Sequence, residues 1–165
     1  MTMPQERAYM ILSDVIDTRS AEEITASVQA DSCSWVIVAE DDEALRFLLG
    51  EALSQEGFEV LGAANGREAL ELYKRNADKV SLAIVDVFMP EMDGVTAAIE
   101  MRKIDANVFF LFISGYDYEH LKEQGFSLES IPNADFLPKP FAFKDMMGRI
   151  RILGLLAQRQ SIKYG

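Results

Sequence analysis

Apolar residues in this chain fall in five short runs separated by longer stretches in which apolar and polar positions alternate at helical spacing. The runs are Trp35-Val36-Ile37-Val38-Ala39, Phe58-Glu59-Val60-Leu61-Gly62, Leu82-Ala83-Ile84-Val85, Val108-Phe109-Phe110-Leu111-Phe112-Ile113 and Asp135-Phe136-Leu137. The first, third and fourth are apolar nearly throughout, as strands covered on both faces must be. The intervening segments carry helix punctuation. Glu43 to Gln55 is closed by Gly57, Asn65 caps a helix to Asn76, and Asp93 opens Gly94 to Lys103. A shorter helix is predicted over Tyr118 to Gln124, closed by Gly125, and a final one from Phe141 to Ala157. Five strand-helix repeats predict an α/β fold with a doubly wound, five-stranded parallel sheet and helices on both faces. Such sheets place their sites at the carboxyl ends of central strands.

Outside this pattern lie residues 1–34, an extension read as helical. Ala8, Ile11, Leu12, Val15 and Ile16 recur at helical spacing, and Ser20 with Glu23 makes a capping-box start before Ile24 and Val28. Residues 35–157 form the domain and 158–165 a C-terminal tail. On the last helix Phe143, Met146, Met147, Ile150, Gly154 and Ala157 share one side, while Ile152, Leu155 and Leu156 fall opposite. One side suits the sheet. The other is expected to bind the N-terminal extension, within the chain or across a homodimer.

Composition narrows the function. A length of 165 residues with 49% hydrophobic content suits one core and a short appendage. With 27 acidic against 16 basic residues, the net charge of -11 disfavours nucleic acid and anionic membrane as partners. The densest basic set, Arg149, Arg151, Arg159 and Lys163, reads as a solvated helix face. A lone cysteine, Cys33, and an N-terminus without secretory-signal order point to the cytoplasm. No apolar run approaches the ~18 residues of a membrane helix.

The chemistry gathers at strand ends. In the stretch AIVDVFMPEMDG an apolar run ends on Asp86 and turns at once, and a carboxylate there is costly without partners. Glu40 and Asp41 end the first run in the same way. If the strands are neighbours, these acids converge and call for a counter-cation; oxygen donors alone select a hard ion such as Mg²⁺. Ser114 ends the fourth run beside Gly115, and Lys139 follows the fifth. Acid pair, acid, hydroxyl and lysine thus occupy successive edges of one crevice.

The segments VIVAEDDEALR, AIVDVFMPEMDG, FISG and DFLPKPF, in this order over Trp35 to Ala157, resemble the response-regulator receiver domain of two-component signalling. The resemblance implies a flavodoxin-like strand order, 2-1-3-4-5. It implies Asp86 as phosphoacceptor, with Mg²⁺ held by Asp41, by Glu40 through water, by Asp86 and by the backbone carbonyl of Phe88. Ser114 and Lys139 would each receive a phosphoryl oxygen, and the bond before Pro140 would be cis. Ser114 and Phe136 would form the switch. The phosphoryl donor would be a histidine kinase or histidine phosphotransfer protein, the output an unidentified protein. Such a chain is no enzyme beyond catalysing its own phosphorylation and dephosphorylation. The rival reading is an adaptor module that works without phosphorylation.

Several residues suit plainer roles. Asp42 and Glu43 read as first-turn acids favoured by the helix dipole. A phosphatase with a second acid two residues beyond the first is disfavoured because Phe88 stands there. His120, the only histidine, reads as a solvated helix residue. Phe88 and Tyr116 are expected to slow self-dephosphorylation by hindering water. No fused output domain is expected after Ala157, so the signal is expected to leave through a surface, with residues 125–133 as a partner contact.

Overall fold

The computed structural model describes residues 35–163, with side chains as far as Gly154. The helices expected in residues 1–34, and the side chains of Leu155, Leu156 and Ala157, lie outside the described residues. The element order is β1 (Trp35–Ala39), α1 (Glu43–Gln55), β2 (Glu59–Ala63), α2 (Gly66–Asn76), β3 (Val80–Asp86), α3 (Gly94–Ile104), β4 (Phe109–Ser114), α4 (Tyr118–Glu123), a 3₁₀ turn (Leu128–Ser130), β5 (Ala134–Pro138) and α5 (Phe143–Lys163). All strand pairings are parallel, in the order β2-β1-β3-β4-β5. This is the predicted doubly wound sheet.

Strand alternation divides the core. Val36, Val38, Leu82, Ile84, Phe109, Leu111, Ile113 and Leu137 face α1 and α5, where Leu49, Leu53, Met146, Met147, Ile150 and Leu153 meet them. Ile37, Ala39, Ala83, Val85, Phe110, Phe112 and Phe136 face α2, α3 and α4. Because successive side chains point to opposite faces, a run covered on both sides has to be apolar at every position.

Helix starts follow from local chemistry. Asp42 Oδ1 accepts from the Leu45 amide at 2.9 Å, so Asp42 is the N-cap of α1 and not, as expected, a first-turn acid; Glu43 takes that place. Asn65 and Asp93 cap α2 and α3 through the amides of Glu68 and Thr96. Two further expectations need correction. The last helix does not stop at Ala157 but continues to Lys163, since no glycine or proline interrupts residues 158–163. Its sheet-facing side also includes Leu153, 5% exposed, whereas Phe143 and Gly154 are only partly covered. The segment 125–133, expected as a partner contact, is anchored by the buried side chains of Phe126 and Ile131 around the 3₁₀ turn.

Tyr73 of α2 is fully buried, and its hydroxyl has no hydrogen-bond partner among the described residues. Burial, reinforced by Asp105 and opposed by Arg102, pushes the phenol up to about 12 from 10.0. The folded state thus holds this proton more tightly than the unfolded chain does. Its contribution is complete below the unfolded value and is lost as pH rises through the folded value. Tyr73→Phe should be neutral or stabilising by up to about 1 kcal/mol at neutral pH, because it removes an unsatisfied polar group. It should also flatten the alkaline loss of stability, as read by urea melts across that range.

Candidate functional site

The carboxyl edge of the sheet is built by ladder bonds that run one residue past β1, β3 and β5. The Glu40 amide donates to the Ala63 carbonyl at 3.0 Å, and Arg46 Nη1 donates to the Glu40 carbonyl at 2.6 Å, tying the β1 end to α1. The Val87 amide donates to Ile113 at 2.9 Å, so β3 and β4 leave the sheet together. The turn after Asp86 closes back through Gly94, whose amide donates to the Val87 carbonyl at 2.9 Å. A Cβ at Gly94 would lie 2.0 Å from the Asp86 carbonyl oxygen, so only glycine permits this close approach.

Within this frame Glu40 is 1% exposed, with Oε1 accepting from the Asp42 amide at 3.1 Å. Asp86 is 6% exposed, and its Oδ1 accepts from the Phe88 amide at 3.1 Å. Lys139 reaches both carboxylates, with Nζ 2.6 Å from Asp86 Oδ2 and 2.7 Å from Glu40 Oε2. Its amide donates to the Ser114 carbonyl at 2.7 Å, and the Lys139-Pro140 peptide is cis. Ser114 is fully buried, and its Oγ accepts from the Tyr116 amide at 3.1 Å. Asp41 is exposed; Glu40, Asp41 and Asp86 each place a carboxylate oxygen within 4.8 Å of the others.

Burial pushes the Glu40 carboxyl upward, against the pull of hydrogen bonds from Lys139 and the Asp42 amide, and the Asp86 charge adds to the push. Burial alone would lower the Lys139 ammonium, but its hydrogen bonds to Asp86 and Glu40 and their charges outweigh that and raise it. One ammonium against three carboxylates leaves two negative charges without a partner in this cluster. The donor set therefore fits a hard divalent cation on chemistry as well as spacing.

Phe136, 2% exposed, already lies inside the fold, its ring 5.7 Å from Tyr118 and 6.3 Å from Phe126. Tyr118 caps this cluster, its hydroxyl accepting from the Leu128 amide. Beside the site Phe88 and Tyr116, 45% and 52% exposed, meet edge to face at 5.4 Å, and Tyr116 stacks on His120 at 4.9 Å with an interplanar angle of 16°. His120 is exposed on its helix, as expected, and the stacking on Tyr116 is an addition to that reading. Tyr116 stands before the N-cap Asp117, outside the helix that carries His120, so no helical spacing announced the pair.

A doubly wound parallel sheet carrying an acid pair, an aspartate, a serine and a lysine on successive strand ends defines a receiver of the two-component class. The chain belongs to the response regulator receiver domain family, whose model matches residues 36–151. It is 33% identical over 130 residues to the sensor kinase CckA of Brucella abortus, covering 79% of this chain and 13% of that protein. Against the response regulator MprA of Mycolicibacterium vanbaalenii it is 33% identical and spans 49% of that protein's length. It is 36% identical to the chemotaxis protein CheY of Thermotoga maritima, covering 64% of this chain and 85% of CheY. Among solved structures, TrrA of Thermotoga maritima in complex with Mg²⁺ and BeF has a TM-score of 0.62 at 28% identity, over 73% of this chain and 98% of that one. The chain thus spans about half, or less, of the first curated relatives it matches. Receiver domains are signalling proteins, not enzymes in the usual sense, and among the described residues no helix is long and apolar enough to cross a membrane.

Proposed function

We propose that this receiver accepts a phosphoryl group on Asp86 from the phosphohistidine of a kinase or phosphotransfer protein and thereby changes its affinity for an output protein. One observation carries the reading: buried Asp86 meets Lys139 and lies with Glu40 and the exposed Asp41 in one carboxylate cluster, with buried Ser114 ending the neighbouring strand. An Asp86 oxygen bonds to phosphorus while the P–N bond breaks and its electron pair returns to the imidazole. Negative charge grows on the phosphoryl oxygens, and Lys139 is placed to pair with one of them. Ser114 donates its hydroxyl to another. Mg²⁺ would be held by Asp41, Asp86, the Phe88 carbonyl and, through water, Glu40, and would supply charge neutralisation to the phosphoryl oxygens. Beryllofluoride is a phosphoryl analogue, so the Mg²⁺ and BeF complex of TrrA supports this chemistry for a similar receiver.

Switching is a repacking. Phe136 starts inside the aromatic cluster of Phe112, Tyr118 and Phe126, so movement of Ser114 toward the phosphoryl group displaces rings already in contact. A cytoplasmic location accords with this donor chemistry. Incubation with acetyl phosphate and Mg²⁺ should add one phosphoryl mass per chain, removable by hydroxylamine as an acyl phosphate is. No gain would favour an adaptor module that works without phosphorylation.

A phosphohistidine must approach the carboxyl edge of the sheet, and α1 begins there. Its Phe47 and Leu48 are 64% and 63% exposed, an apolar pair suited to docking a donor helix. Phe47→Ala with Leu48→Ala should slow transfer from a phosphorylated histidine phosphotransfer protein by about tenfold, the effect of about 1.4 kcal/mol of lost docking. Labelling by acetyl phosphate, which needs no docking, should be unchanged.

A further inference from the structure

We propose that His120 is a positioning residue for the lifetime of the phosphorylated state, holding Tyr116 against Phe88 so that an aromatic ladder restricts water at Asp86. This rests on Asp86 being the phosphoacceptor. The ladder crosses three segments: Phe88 in the turn after β3, Tyr116 after β4, and His120 on α4. Two of its three members are hooked to the reactive groups through the backbone, because the Phe88 amide donates to Asp86 Oδ1 and the Tyr116 amide to Ser114 Oγ. The Phe88 and Tyr116 rings are therefore carried by residues whose main chain touches the nucleophile and the hydroxyl.

Tyr116 is half exposed, and an exposed ring on a short connection keeps its place only where other rings hold it. Phe88 supplies one contact. The imidazole supplies the other, nearly parallel to the Tyr116 ring. His120 is fixed in turn from two sides: its amide donates to the Asp117 carboxylate at 2.8 Å, and its Nε2 lies 2.9 Å from Gln124 Nε2. In hydrolysis a water oxygen bonds to phosphorus, the P–O bond to Asp86 breaks, the carboxylate is regenerated, and inorganic phosphate leaves with the proton. The incoming water must approach opposite the departing Asp86 oxygen, so rings beside that path lower the rate.

The test is the decay of phosphoryl mass after removal of acetyl phosphate, in wild type, His120→Ala and His120→Phe. Loss of one ring contact should shorten the half-life about three- to tenfold in His120→Ala. His120→Phe, which keeps a flat ring but no nitrogen, should restore it. Tyr116 ring resonances should shift with His120→Ala and return toward wild type with His120→Phe, with no phosphoryl group needed. An unchanged half-life in His120→Ala, or decay as fast in His120→Phe as in His120→Ala, overturns the assignment. Absence of label on wild type would instead remove the phosphoacceptor reading itself, leaving the resonance shifts to report on the ladder alone.

Discussion

Asp86→Asn should abolish the gain of phosphoryl mass completely while leaving the fold intact. Asparagine keeps the size of the side chain, and its carbonyl can still accept from the Phe88 amide that now bonds Oδ1 at 3.1 Å. What it lacks is a nucleophilic oxygen. The substitution does not strand a charge, because Lys139 retains Glu40 at 2.7 Å. It also removes the like charge that helps push Glu40 upward. Stability in the absence of metal should therefore stay within about 1 kcal/mol of wild type, in contrast to the usual loss when a buried pair is broken. Intact mass after acetyl phosphate and Mg²⁺, with thermal melts alongside, reads both effects. Residual label on the variant would place the acceptor elsewhere.

Lys139→Met should, by contrast, cost stability. Its ammonium lies within 2.7 Å of two buried carboxylates, and removing it leaves Glu40 and Asp86 facing each other with Asp41 close by. Breaking such a pair from one side costs about 2–4 kcal/mol, toward the lower end of buried cases because the Lys139 side chain stays 22% exposed. Mg²⁺ should restore part of the loss by binding only the folded state, by about 2.7 kcal/mol at a hundredfold excess over its Kd. Urea melts with and without Mg²⁺ test this. A variant as stable as wild type without metal would mean that solvent screens the two carboxylates well enough to need no lysine.

Much of this could be read in the residues. The runs at Trp35–Ala39 and Phe109–Ile113 are apolar at every position because both sheet faces are covered, and that pattern names a central strand before any contact is known. Asn65 and Asp93 announced their helices because a cap acts on an amide three residues away. The extent of the last helix was misjudged, since the tail offers no stop signal and its polar residues suit a solvated helix face as well as a free tail. Asp42 was misplaced by one position for a related reason: an N-cap and a first-turn acid are both favoured at a helix start, and only the backbone angle separates them.

The strand-helix alternation, the order of the strand-end residues and hence the family are legible in the residues alone, because periodicity and capping act over a few residues. Tertiary structure alone decided which groups touch. Lys139 stands 53 positions from Asp86, yet it bridges that carboxylate and Glu40. Phe136 is already packed inward on Tyr118, and His120 stacks on Tyr116 at the rim of the site. No local pattern encodes those pairings. They arise where sheet register and helix packing bring distant side chains within bonding distance, and there the charges and rings settle which partner each one keeps.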